Sequence, residues 1–76
     1  MEIKILGAGC PKCKRLEAVS RDVVEELGID ANFTKVTAMS DIMAYDILAT
    51  PALVVDEVVL SSGRIPSKEE IREWLQ

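Results

Sequence analysis

Histidine is absent from this chain of 76 residues. Its absence removes the commonest general base, the commonest metal ligand and the partner of a Cys-His nucleophile pair. Aromatic residues are nearly absent too, with one Phe, one Tyr and one Trp. The core must therefore be built from Ile, Val, Leu and Ala. There is no block of basic residues, and the net charge is −4. Such a surface repels a phosphate backbone on average, so no nucleic-acid partner is expected. No apolar run approaches the roughly 20 residues that span a bilayer, so no membrane partner is expected. Met1-Glu2-Ile3-Lys4 starts a strand-like pattern at once, without the charged-apolar-small order of a secretion leader. The expected compartment is the cytoplasm.

Cysteine is scarce as well, and here the scarcity is informative. The only two are Cys10 and Cys13, in Gly9-Cys10-Pro11-Lys12-Cys13. In a reducing compartment a cysteine pair is rarely a structural staple. A bridge across so short a loop would also restrict the unfolded chain little and add little stability. The pair is therefore read as reactive or metal-binding.

What is present fits one domain spanning residues 1–76. A chain this short buries roughly 60% of its unfolded surface, near the lower limit for a self-sufficient core. Apolar residues make up 49% of it, enough to exclude disorder. Ile3 and Ile5 alternate with Glu2 and Lys4, and Leu6 continues the run, so residues 2–6 read as a strand. Gly7-Ala8-Gly9 reads as a flexible turn. It is no dinucleotide fingerprint, because Lys12 stands where the third glycine belongs. Pro11 suits a helix's first turn, where its missing N–H costs nothing. Leu16, Val19, Val23 and Leu27 recur at helical spacing, and Gly28 is a helix stop, giving a helix over about 11–27.

Residues 31–36 alternate as a second strand, joined to the first through the helix as a parallel βαβ unit. Ser40-Asp41 reads as the cap of a short second helix reaching Tyr45 or Leu48. Ile42, Met43, Tyr45 and Ile47 are its candidate buried residues, and Met39 and Met43 are assigned to packing. Thr50-Pro51 ends that helix. Ala52-Leu53-Val54-Val55 is nearly all apolar, as expected of a strand buried on both faces. Asp56-Glu57 is a turn, expected to be looser than two residues because it lacks Asn-Gly or Asp-Gly. Val58-Val59-Leu60-Ser61 returns as a fourth strand. Ser67 and Glu70 form a capping box for a last helix with Ile71, Trp74 and Leu75 inside. The order is βαβαββα, an α/β domain with a four-stranded mixed sheet flanked by three helices.

The cysteines sit where a strand gives way to a helix. Thiol–disulfide exchange needs a thiolate. At a helix N-terminus, orphan N–H groups and the positive dipole end favour the anion at Cys10. Lys12 and Lys14 add positive charge. Cys13, one turn further in, is expected to be less exposed and close enough to bond to Cys10 with little movement.

The element order, Gly9-Cys10-Pro11-Lys12-Cys13, Thr50-Pro51-Ala52-Leu53-Val54 and Gly63-Arg64-Ile65-Pro66-Ser67 together resemble the thioredoxin fold. More narrowly, they resemble the small thioredoxin-like redox-active disulfide proteins of archaea and bacteria. The resemblance covers nearly the whole chain. It implies a thiol–disulfide oxidoreductase without a cofactor, working as a monomer between an upstream reductase and a disulfide-bearing protein or small molecule. It implies that Cys10 attacks and Cys13 resolves. It also implies that Gly9, Pro11, Lys12, Thr50 and Pro51 form the substrate-binding surface, and that Thr50-Pro51 is cis and lies against the disulfide. The chain departs from ordinary thioredoxins at Gly9, where they carry Trp, and at Pro11-Lys12, where they carry Gly-Pro. Lys4 stands where they carry a buried acid; it either supports the thiolate or is solvated without a role.

Two other readings use the same residues. Small copper carriers also place Cys-x-x-Cys after a first strand, and two thiolates suit Cu(I). Their order is βαββαβ, ending in a strand, and Met commonly stands where this chain has Ala8. A redox-responsive adaptor without turnover would use an exposed apolar strip around Pro11, Thr50-Pro51 and Ile65.

Overall fold

A computed structural model describes residues 1–7, 11–47 and 49–76. Its elements follow the expected order: β1 (Glu2–Leu6), α1 (Pro11–Leu27), β2 (Asn32–Val36), α2 (Met39–Met43), β3 (Ala52–Val55), β4 (Val58–Ser62) and α3 (Lys68–Leu75). β4 is followed by the helix α3, and the order βαβαββα differs from the βαββαβ of copper carriers. The strands form one mixed sheet, β2-β1-β3-β4. β1 pairs parallel with β2 across α1, antiparallel with β3, and β3 pairs antiparallel with β4. Among the described residues no helix is long and apolar enough to cross a membrane.

The period-two alternation of β1 divides the core between the two faces of the sheet. Ile3, Ile5 and Leu53 pack with Leu16, Val23 and Val24 of α1 and with Ile71 and Leu75 of α3. On the other face Leu6, Ala52 and Val54 meet Ile42, with Val36, Tyr45 and Ile47 around them. Ala52, Leu53 and Val54 are all buried, as a central strand covered on both faces requires.

The helix ends follow local chemistry. Gly28, at φ +68°, closes α1 in a Schellman motif: Ile29 N–H donates to Val24 C=O and Gly28 N–H to Glu25 C=O. Ser67 Oγ accepts from Glu70 N–H at 3.2 Å, and Glu70 Oε1 accepts from Ser67 N–H at 3.1 Å. Arg64 holds the same carboxylate with two bonds, at 3.0 and 2.7 Å.

The structure corrects the sequence reading in three places. α2 starts at Met39 with Ala38 as its N-cap, which makes no side-chain cap bond, so Ser40-Asp41 is not the cap. It stops at Met43, because Asp46 takes a left-handed conformation (φ +56°) and its N–H closes back on Met43 C=O. Leu48, the far limit expected for α2, lies outside the described residues. Met39 and Met43 do not pack: they are 64% and 69% exposed, since so short a helix buries Ile42 alone. The β3–β4 turn is a tight two-residue turn, with Val55 paired to Val58 and both Asp56 and Glu57 at positive φ. Side chains reaching β1 hold these left-handed residues. Asp56 Oδ1 accepts from Glu2 N–H at 2.9 Å, and Glu57 Oε1 is paired with Lys4 Nζ. The register then slips by one residue between Leu53 and Val54, a bulge on β4.

Candidate active site

The ends of the two central strands set the location. Leu6 is the register partner of Ala52. The residues just beyond each strand, Gly7 on one side and Thr50-Pro51 on the other, therefore come together although they are far apart in sequence. α1 starts above this junction at Pro11. Cys13 is the third residue of the helix, on its inward side, and is 6% exposed.

Gly7 is what lets Cys13 sit there. A Cβ at Gly7 would overlap Cys13 Sγ and would lie 3.9 Å from Thr50 Cβ. The requirement is space: the sulfur occupies the volume that a side chain at residue 7 would fill. The N–H of Gly7 donates to Val36 C=O at 2.9 Å, which fixes its backbone against β2.

The Thr50–Pro51 peptide bond is cis. Thr50 is exposed while Pro51 is fully buried, and Pro51 C=O accepts from Gly63 N–H at 2.9 Å. The segment before α3 thus stands beside the cis peptide, with Ile65 half-buried and Pro66 buried. Pro51 accordingly adds no exposed apolar surface to a strip there; Pro11 and Thr50 remain exposed. Lys12 is exposed on the first turn of α1. Gly9 and Cys10 lie outside the described residues.

Cys13 also lines a small cavity of about 40 Å³ with Ile5, Gly7, Lys14, Lys35 and Thr37. Lys35 is reached through strand pairing, since it is the register partner of Ile5 on β2. Its Nζ lies 3.0 Å from Glu17 Oε1 on α1. Glu17 Oε2 accepts from Arg21 Nε at 2.9 Å, and the Arg21 guanidinium stacks 4.4 Å from the Phe33 ring centre. Lys35, and after it Arg21, holds the Glu17 carboxyl below the usual carboxylate range.

Lys4 fits neither of its expected descriptions. It points to the α2 face, away from Cys13, and is not simply solvated. Its ammonium donates to Glu57 Oε1 and, at 2.8 Å, to Tyr45 Oη. Glu57, then Tyr45, raises its pKa, and Lys4 in turn lowers that of Glu57. This network lines a cleft of about 600 Å³ with Thr34, Val36 and Val59. The cleft is larger than the cavity at Cys13 but holds no thiol among the described residues.

Sequence reasoning treated Gly7 as part of a loop and gave Lys35 no role. A signal for both was present. Gly7 continues the Ile3, Ile5 alternation toward α1, and Lys35 continues that of Phe33. A parallel pairing of residues 2–6 with 32–36 brings those positions together beneath Cys13.

Comparison with known proteins agrees with this arrangement. A family model described as a thioredoxin domain matches residues 1–76. A thioredoxin of Methanothermobacter thermautotrophicus is 45% identical over 75 residues, covering 99% of this chain and 97% of that protein. A thioredoxin of Methanocaldococcus jannaschii is 45% identical over 74 residues, covering 97% of this chain and 85% of that protein. With the mixed sheet, the buried Cys13 at the start of α1 and the neighbouring Thr50-Pro51 already in place, these matches identify the chain as a member of the thioredoxin domain family, a family of thiol–disulfide oxidoreductases.

Proposed function

We propose that this protein is a small thiol–disulfide oxidoreductase that cycles Cys10 and Cys13 between dithiol and disulfide. The observation that carries this reading is the position of Cys13. Its sulfur is packed in the first turn of α1, against Gly7, where Thr50 also approaches. That position suits a resolving thiol, shielded from solvent and one turn from the residue that precedes the helix.

Cys10 is the attacker. Because α1 begins at Pro11, the first N–H groups of the helix and its positive end are available to a thiolate on the preceding residue. In the first step that thiolate attacks one sulfur of the substrate disulfide. A Cys10–substrate bond forms, the substrate S–S bond breaks, and the departing sulfur leaves with the electron pair and takes a proton. In the second step the Cys13 thiolate attacks Cys10 sulfur. The Cys10–Cys13 bond forms and the second substrate thiol leaves. An upstream reductase returns two electrons and two protons to the pair. Pro11, Lys12 and Thr50, with Gly9, form the surface that receives an extended substrate segment, and the buried Pro51 supports Thr50 from beneath. Exposure of Pro11, Lys12 and Thr50 supports that role.

The substrate is a disulfide-bearing protein or small molecule. The chain acts as a single domain, which a family match over residues 1–76 supports, and the same reading takes it as a monomer in the cytoplasm. Insulin reduction with dithiothreitol as electron source tests the assignment. Cys10→Ser is expected to abolish turnover; Cys13→Ser, reduced beforehand and mixed with substrate after the dithiothreitol is removed, is expected to stop after one step and accumulate a Cys10–substrate mixed disulfide visible by mass. A Cys10→Ser variant that still turns over refutes it.

A further inference from the structure

The chain holds nine Lys and Arg residues. Six of them stand in ion pairs, from Lys4 with Glu57 to Arg72 with Glu26. The other three are Lys12, Lys14 and Arg15, all exposed at the start of α1 around Cys13. Among the described residues, which include every Asp and Glu of the chain, none pairs with these three. The helix itself offers them no acid. One turn on, at the positions they face, stand Leu16, Ala18 and Val19. Glu17, three after Lys14, is already held by Lys35 and Arg21. The arrangement also opposes the helix dipole. α1 has no acid in its first turn and no base in its last, the reverse of what stabilises a helix. A local rule broken on the turn that carries Cys13 marks a working surface rather than a need of the fold. The chain as a whole carries −4, so this turn is a positive spot on a negative molecule.

We propose that Lys12, Lys14 and Arg15 select protein substrates whose disulfide lies in an acidic extended segment, with Asp or Glu within a few residues of the attacked cysteine. This rests on the exchange reaction proposed above and names its substrate class. The spread of the three cations favours a segment over a small anion. Lys12 and Arg15, three apart, share one side of α1. Lys14, two positions after Lys12, points to nearly the opposite side, where it lines the Cys13 cavity with Lys35. A helix with its side chains is roughly 10–12 Å across, so one carboxylate cannot serve both sides. An extended chain rises about 3.3 Å per residue and spans them within a few residues. Because the three cations have no partner in the free protein, an acidic segment meets them without displacing an ion pair. Charge attraction then raises the rate of encounter and repels basic segments from the same turn.

The test uses the full chain and three disulfide-linked peptides of equal length, with the cysteine flanked by Asp, by Gln or by Lys. The readout is the ratio of kcat/KM values between peptides. Neutralising the cations also acts on the Cys10 thiolate, but that effect is common to all substrates and cancels in the ratio. At low ionic strength the Asp peptide is expected to be reduced about tenfold faster than the Gln peptide, and the Lys peptide slower than either. Added salt is expected to shrink the preference. In the triple variant Lys12→Gln, Lys14→Gln, Arg15→Gln the Asp and Gln peptides are expected to fall within about twofold of each other. Lys12→Arg, Lys14→Arg, Arg15→Lys, which keeps the charges, is expected to keep the preference. The triple Gln variant is also expected to melt no lower than wild type, since it removes charges that oppose the helix dipole. An equal rate for the three peptides, a preference that survives in the triple Gln variant, or a lower melting temperature for that variant overturns the proposal. Oxidised glutathione, a small anionic disulfide, separates the two sizes of substrate. If it loses as much rate in the triple Gln variant as the Asp peptide does, the cations serve small anions and the extended segment is refuted. The exchange reaction is judged separately: a wild-type chain that reduces none of the peptides refutes that reaction, whereas one that reduces them without preference refutes the role of the three cations.

Discussion

At the scale of single residues, the site depends on a side chain that is missing. Gly7 leaves the space that Cys13 Sγ fills. Gly7→Ala would force the sulfur, the first turn of α1 or β1 to shift. Overpacking of this kind costs about 1–3 kcal/mol. Urea denaturation is expected to show a lower midpoint for Gly7→Ala; a variant as stable as wild type would mean that the sulfur moves aside freely. Cys10 and Cys13 are legible in the sequence because thiols are chemically distinctive and their spacing is local. The places of Gly7 and Lys35 at the Cys13 cavity are not, because each is set by register. Gly7 meets Cys13 because α1 folds back over β1, and Lys35 reaches the same cavity by pairing with Ile5. Lys4 is the opposite case. Its position suggested a link to the thiolate, but strand alternation sends it to the α2 face, where Glu57 and Tyr45 bind it.

At the scale of elements, legibility follows how local the determinants are. α1 begins and ends as its sequence specifies, since Pro11 and Gly28 act within a turn of their own positions. α3 is likewise set by its capping box. α2 and the β3–β4 turn are shaped from a distance. α2 rests on the burial of Ile42 against Leu6 and Val54, and the turn on bonds from Asp56 and Glu57 to β1. A pH dependence belongs to α3. The Glu70 carboxyl, bound first by Arg64 and then by the Ser67 N–H, is lowered from 4.5 to about 2. A depressed carboxyl stabilises the folded state fully above its unfolded value and loses that contribution as pH falls toward the folded value. The melting temperature of wild type is therefore expected to exceed that of Glu70→Gln at neutral pH, with the difference shrinking between pH 4.5 and about 2. A constant difference across that window would contradict the role of the ionised carboxylate. Ser67→Ala is expected to cost about 1 kcal/mol at neutral pH by urea denaturation, from loss of the cap.

At the scale of the molecule, the sheet order places β1 and β3 at the centre, and their antiparallel register joins the start of one to the end of the other. That junction carries Gly7, Thr50 and Pro51, with α1 above it. The chain therefore needs few residues to bring Cys13 to the junction that carries an exposed Thr50, and the two faces of the sheet divide the work. The α1–α3 face holds Cys13 and Lys35, and the α2 face holds the Lys4–Tyr45–Glu57 network. The central claim, that Cys10 and Cys13 form one reversible redox couple serving as a reductant, is tested most directly by its reduction potential. The protein is equilibrated in thiol–disulfide buffers of graded potential, and both thiols are counted by alkylation and mass. The expected result is a single two-electron transition that involves Cys10 and Cys13 together, near the reducing end of the known Cys-x-x-Cys range, roughly −270 mV. A transition near the oxidising end, about −120 mV, or no paired transition at all, would contradict a reducing role.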